Sequence, residues 1–249
     1  MPEARYDTIG ANYAQFRHTE PTWEAEIRDA LGSAASVLNI GAGTGNYEDL
    51  GRRVIALEPS RVMLDQRAPQ AAPAVQGVAE HLPFADDSFD ATLGVLTMHH
   101  WPDRHRGLRE AARVAPLHVY TVYDPLETTH FWLLDYFPET RRSPMEVNAP
   151  TPTVIDEVLA VREVRTLWVP RDCKEGFAAG SWAHPHQYLD PEMQQAISLL
   201  AMADPEVLAR GTAELQADLD SGAWYEKYGD IADLARADFG YRLVIAERR

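Results

Sequence analysis

Gly41, Gly43 and Gly45 stand at alternate positions directly after the apolar run Val37–Ile40. Glycine is needed where the backbone takes a positive φ, or where a ligand lies against the chain with no room for a Cβ. A second apolar run, Val54–Leu57, ends in Glu58. This order reads as a buried strand, a tight glycine turn, a helix, a second strand and an acid at its tip. An acid there can accept hydrogen bonds from both hydroxyls of a ribose. Together the two features suit an adenosine-type ligand. The dinucleotide fingerprint G-x-G-x-x-G needs its third glycine where Asn46 stands, and no second dinucleotide half follows, so a nicotinamide cofactor does not match.

Three further sets of side chains can carry chemistry. His99 and His100 follow the apolar run Ala91–Leu96. Histidine titrates near neutrality, so either can take a proton from a bound nucleophile, or can simply hydrogen-bond beside Trp101. Asp124, just after Leu117–Val122, is the other candidate base or substrate anchor. The patch Phe131, Trp132, Tyr136 and Phe137 can line an apolar pocket or pack a later segment onto the sheet. His184 and His186 flank Pro185 with no carboxylate or cysteine partner obvious nearby, so no metal site is expected.

The stretch Val37–Glu48 resembles motif I of the class I S-adenosylmethionine-dependent methyltransferases. Gly77–Asp90, read G-V-A-E-H-L-P-F-A-D-D-S-F-D, resembles the D-A-E-x-L-P-F-x-x-x-S-F-D stretch of the ubiquinone/menaquinone-biosynthesis-type members. Ala91–Trp101 resembles their fourth strand and its exit. The resemblance is dense over residues 5–125, loose over 126–238, and returns at Gly240–Glu247.

It implies S-adenosyl-L-methionine as cofactor and methyl transfer to a small molecule, at oxygen more than at carbon or nitrogen. The alternative is a protein of the same fold that binds the donor without transferring its methyl. Carried over residue by residue, the resemblance puts Gly41, Ala42, Gly43 and Gly45 against the methionine and ribose parts. Glu58, followed by Pro59, would take the ribose hydroxyls, and Ala79 would offer its N–H to the adenine. Tyr13 and Arg17 would reach the amino-acid end as part of an N-terminal lid, and Leu96 completes the set. Asn39 stands where the family usually has an acid coupled to the cofactor's ammonium; asparagine still accepts a hydrogen bond but brings no charge. Val78 stands where an aspartate usually meets the adenine amino group, a role Glu80 can take over. His99, His100 and Asp124 would lie near the transferred methyl, with Trp101, Phe131, Trp132 and Tyr136 around the acceptor.

Bulk properties narrow the partners. The 249 residues carry a net charge of −15, with Lys174 and Lys227 the only lysines. Arginines cluster no further than pairs, whereas a chain that binds nucleic acid needs a basic face. A small organic acceptor is therefore expected, with no nucleic-acid or membrane partner, acting as a monomer or homodimer. No run of 18 apolar residues occurs, and the N-terminus lacks the basic start and apolar core of a secretory signal. Cys173 is the only cysteine, which suits a reducing cytoplasm.

The elements that must position these groups follow from the apolar pattern. Thr22 can cap a helix to about Leu31, stopped by Gly32. Strands are expected at 37–40, 54–57, 74–78, 91–96, 117–122, 164–169 and 241–246. Helices are expected from Ser60 to about Arg67, from Asp103 to about Val114 and from Thr153 to Ala160. Apolar runs separated by helices predict an α/β fold: a doubly wound, mostly parallel Rossmann-like sheet covered on both faces. Asp190-Pro191-Glu192 and Asp204-Pro205-Glu206 each place a cap, a first-position proline and a first-turn acid. They predict a helical hairpin in an insertion over 171–222, before the last strand. The whole chain, 1–249, reads as one domain with a lid or helix over 1–32.

Overall fold

The computed structural model describes residues 17–128, 131–142 and 149–249. Tyr13 lies outside them. The chain opens with helix α1 (Pro21–Ala30), which buries Trp23 and Ile27. Its cap is Glu20, not Thr22: the Glu20 carboxylate accepts the Thr22 N–H at 3.1 Å. Proline fits the first helical position, so Pro21 sets the start of the helix and the cap falls one residue before it.

The remaining strands are β1 (Ser36–Ile40), β2 (Arg53–Glu58), β3 (Ala74–Gln76), β4 (Ala91–Val95), β5 (Leu117–Tyr123), β6 (Ala160–Thr166), β7 (Val169–Pro170), β8 (Arg236–Ala237) and β9 (Tyr241–Glu247). Seven of them form one sheet in the order β3-β2-β1-β4-β5-β9-β6, and β7 pairs with β8 separately. The β1–β2, β1–β4, β2–β3 and β4–β5 pairs are parallel; β9 runs antiparallel to β5 and β6. The mostly parallel, Rossmann-like α/β sheet expected from the sequence is therefore the fold. Strand order reverses between β1 and β4, and such a reversal opens a crevice at the carboxyl ends of the strands.

Further details depart from the sequence expectation. No helix follows the glycine turn; residues 41–52 are turns and bends. Gly41, Gly43, Gly45, Tyr47 and Gly51 all have positive φ, which a right-handed helix cannot absorb. The helix expected at 153–160 is short, α5 in the numbering below, and strand six starts at Ala160 rather than 164. β6 is an edge strand whose middle, Arg162–Val164, is exposed, so it lacks the apolar run by which buried strands are recognised. Charges on an edge also discourage pairing with another chain.

The helices are α2 (Arg61–Asp65), α3 (Arg104–Val114), α4 (Leu133–Tyr136), α5 (Pro152–Asp156), α6 (Pro191–Ala196), α7 (Ser198–Ala201), α8 (Pro205–Ser221) and α9 (Ala223–Ala232). Asp103 caps α3, and Asp190 and Asp204 cap α6 and α8 through the N–H groups of Glu192 and Glu206. The partner of α8 is α9, so the helical part between β7 and β8 runs past residue 222 to Ala232. One face of the sheet packs on α3 and α5; the other packs on α1 and this helical segment. Trp132 is the hub of the second layer, edge-on to Trp224 at 5.1 Å and to Tyr188 at 5.3 Å between ring centroids. At Gly211 of α8 any Cβ would collide with the Phe137 ring, so the absent side chain lets that helix close onto the aromatic layer. Among the described residues no helix is long and apolar enough to cross a membrane.

Candidate functional site

At the strand-order reversal, the tips of β1, β2 and β4 enclose a cleft of about 100 Å³. Its floor and walls include Gly41, Gly43, Glu58, Pro59, Val78, Ala79, Glu80 and Leu96. Glu58 is 4% exposed and anchors the glycine turn, accepting the Gly43 N–H at 2.8 Å and the Ser60 N–H at 2.9 Å. A carboxylate accepts at about four positions, so holding the turn and receiving ribose hydroxyls are compatible. Gly41 has φ +72, and a Cβ there would fall inside the Thr97 side chain. Its glycine character lets β1 pass directly beneath the exit of β4.

The cleft continues into a smaller one lined by Asn39, Gly41, Ala42, Gly43, Asn46 and Tyr47, and by Arg17 and Glu175, which are joined in an ion pair. Gly45 does not line either cleft. It faces Glu48, Arg67 and Ala71. Arg67 contacts both Glu48 carboxylate oxygens, at 2.7 and 2.8 Å, and donates to the Gly43 carbonyl at 3.1 Å. This buried pair braces the turn where the sequence led us to expect a helix.

A third space, about 90 Å³ and largely apolar, opens beside the second. Phe131, Leu134, Phe177, Ile197, Leu199 and Phe239 line it, with His99, Tyr123 and Tyr241. Leu96 lines both this cavity and the first cleft, and Arg17 lines both this cavity and the second. Leu96 has φ +47, a strained value for a branched side chain. Two bonds hold it there: its N–H donates to the Thr121 carbonyl at 3.1 Å and to Thr121 Oγ1 at 3.0 Å. The strain sits where the first cleft meets the apolar cavity.

The structure separates the residues expected near the acceptor. His99 lines the apolar cavity, whereas His100 and Trp101 line the first cleft; the two imidazoles are 3.8 Å apart between centroids. Trp101 packs on Gly107, where no Cβ would fit. Phe131 reaches the cavity. Trp132 does not: its indole N–H is donated to the Trp182 carbonyl at 2.9 Å within the core. Tyr136 donates to Asp218 at 2.6 Å, also away from the cavity. Asp124 caps the turn after β5 by accepting the Leu126 N–H at 3.0 Å, and lines none of the three spaces. Sequence reasoning missed Tyr47, Phe177, Glu175, Phe239 and Tyr241. The sequence signal for Glu175 is slight: an acid beside Gly176 in an otherwise unassigned segment.

The first cleft thus offers a buried acid and an apolar shelf, and the second two opposite charges. Residues 38–116 match the methyltransferase domain family. The solved structure of an Anabaena variabilis protein, provisionally described as a methyltransferase from an antibiotic biosynthesis pathway, is 30% identical. It superposes with a TM-score of 0.85 over 92% of this chain and 98% of its own. The chain belongs to the class I S-adenosylmethionine-dependent methyltransferases. It is also similar to an uncharacterized methyltransferase of Mycobacterium tuberculosis, 36% identical over 116 residues, 43% of this chain and 47% of that one. A chloroplastic 2-methyl-6-phytyl-1,4-hydroquinone methyltransferase of Oryza sativa subsp. japonica is 33% identical over 135 residues, 46% of this chain and 38% of its own. The matches thus span less than half the length of these curated relatives. As a methyltransferase of this class, the chain is expected to lose roughly 1–3 kcal/mol of donor affinity on Glu58→Ala, the range for hydrogen bonds to a charged group. Isothermal titration with S-adenosylhomocysteine reads this directly; equal affinity in wild type and variant would remove the ribose role of Glu58.

Proposed function

We propose that this chain transfers the methyl of S-adenosylmethionine to the oxygen of a small, largely apolar acceptor, an aromatic or isoprenoid-like molecule. The observation that supports this best is that Leu96 lines both the cleft at the tips of β1, β2 and β4 and the apolar cavity, so the two ligands would meet at one residue. When bound, the donor supplies a methyl on a positively charged sulfur, activated before the protein acts. The work left to the chain is to hold the acceptor in line, exclude water and remove its proton. Phe131, Phe177, Phe239 and Leu199 hold an apolar body by contact and keep water out. The acceptor hydroxyl forms its bond to carbon as the carbon–sulfur bond breaks; the electron pair stays on sulfur, and the hydroxyl proton passes to His99. His99 is the candidate base because it is the histidine that lines the apolar cavity.

The likeness to a hydroquinone methyltransferase supports a hydroxylated aromatic ring as the acceptor class. A net charge of −15 and the lone Cys173 support a small molecule in a reducing cytoplasm over a nucleic acid. The test is transfer of a labelled methyl to a panel of substituted phenols and hydroquinones. On the best acceptor, His99→Ala is expected to lower kcat by about 10²-fold or more, within the range of general-base catalysis, with S-adenosylhomocysteine affinity unchanged. An unaltered kcat would remove His99 from the proton path. Donor binding without transfer to any of the panel would favour a binding protein, the reading that Asn39 and Val78 keep open.

A further inference from the structure

The second cleft contains an ion pair that the methyl-transfer step does not use. Arg17 Nη2 meets Glu175 Oε1 at 2.6 Å, with the two side chains only 10% and 1% exposed. The other carboxylate oxygen of Glu175 accepts a short hydrogen bond from the Tyr47 hydroxyl. Burial, reinforced by the adjacent Glu175 carboxylate, pushes the Tyr47 phenol well above its ordinary value, so it stays a donor. Asn46 Nδ2 donates to the Arg17 carbonyl at 3.2 Å, tying the segment before α1 to the glycine turn, and the Lys174 N–H donates to Glu20 at 3.1 Å, tying it to the segment after β7. Gly180 abuts the Glu175 carbonyl where no Cβ could fit, and this fixes the turn that carries the acid.

A buried ion pair is weak evidence for stability, because desolvating both charges offsets most of their attraction. This one lines a cleft, and Glu175 is the carboxylate in that lining. The amino-acid end of the donor carries an ammonium and a carboxylate on one carbon. A zwitterion placed against an Arg–Glu pair finds an opposite partner for each charge. Asn39, 2% exposed in the same lining, supplies no charge.

We propose that Glu175, carried by the segment between β7 and β8, is the ammonium partner of the donor, opposite Arg17 as carboxylate partner, an assignment that rests on the donor reading above. Tyr47 holds one Glu175 oxygen and leaves the other to be shared between Arg17 and the ammonium. The donor then bridges the segment before α1 and the segment that lines the acceptor cavity, so a donor without its amine loses a contact that reaches across both.

The test compares three ligands by calorimetry on the full chain: S-adenosylhomocysteine, its analogue lacking the α-amino group, and 5′-methylthioadenosine, which lacks the whole amino-acid end. On the wild type, loss of the amine is expected to weaken binding about 10- to 100-fold, as for hydrogen bonds between charged groups. Glu175→Gln keeps the shape and is expected to weaken S-adenosylhomocysteine by a similar factor and leave methylthioadenosine unchanged. In that variant, removing the amine costs nothing further. If the analogue without the amine binds the wild type as tightly as S-adenosylhomocysteine, the assignment is overturned, and no question of folding enters. If folded Glu175→Gln weakens methylthioadenosine equally, Glu175 is a structural acid and the assignment is again overturned. Wild type that binds none of the three overturns the donor reading itself, and this assignment with it.

Discussion

Gly41→Val is expected to abolish S-adenosylhomocysteine binding and to lower the unfolding free energy. Two independent costs act at this position. Its φ of +72 is strained for a β-branched residue, by about 1–3 kcal/mol. Its Cβ would also enter the Thr97 side chain, an overpacking that typically costs about 1–3 kcal/mol. Thr97 begins the 3₁₀ turn Met98–His100, so relief by outward movement would shift the wall of the donor cleft as well. Gly41→Ala combined with Thr97→Ala should recover part of the packing cost and none of the φ cost. Urea melts measure the stability and calorimetry the binding. A Gly41→Val protein with the melting behaviour and affinity of the wild type would mean that the turn can be built another way.

The second large effect concerns His118, in the middle of β5. Its Nδ1 pairs with Thr92 Oγ1 at 2.8 Å, its ring stacks near Tyr120, and Nε2 makes no hydrogen bond among the described residues. Burial, with a smaller contribution from Arg248, lowers its pKa from 6.5 to about 3. The folded state therefore keeps His118 neutral at pH values where the unfolded chain protonates it. The neutral imidazole contributes fully above pH 6.5, and its contribution is lost as the pH falls towards about 3. The slope is about 1.4 kcal/mol per pH unit, or roughly 2 kcal/mol by pH 5. The carboxylates of Glu110, Asp90 and Glu163 are held below their ordinary values, so their losses come at lower pH. The interval from pH 6.5 to 5 lies above those losses, and the His118 variant separates its contribution there from that of the other histidines. His118→Phe should flatten stability over that interval; a variant that keeps the wild-type acid slope would place the proton elsewhere.

What was legible in the sequence, and what was not, follows from how local each cause is. The β1 turn and Glu58 were readable because a positive φ and a strand-end acid are encoded within a few neighbouring residues. The inner parallel strands β1, β4 and β5 were readable because burial on both faces makes them mostly apolar. The absence of a helix at 41–52 is not legible, since Tyr47 at φ +58 gives no sign of that conformation in its residue type. β6 was displaced because an edge strand is not apolar. Trp132 and Phe131 are adjacent and equally aromatic, yet only Phe131 faces the cavity; which face each presents is set by α8 and α9, which lie far along the chain. Glu175 and Arg17 are 158 positions apart, and nothing local marks them as partners.

The most direct test of the account is a calorimetric titration of the wild-type chain with S-adenosylhomocysteine, with NAD as the comparison. The glycine spacing, the buried Glu58 and the charged second cleft predict one S-adenosylhomocysteine bound per chain and no heat from NAD. Binding of NAD without binding of S-adenosylhomocysteine would contradict it.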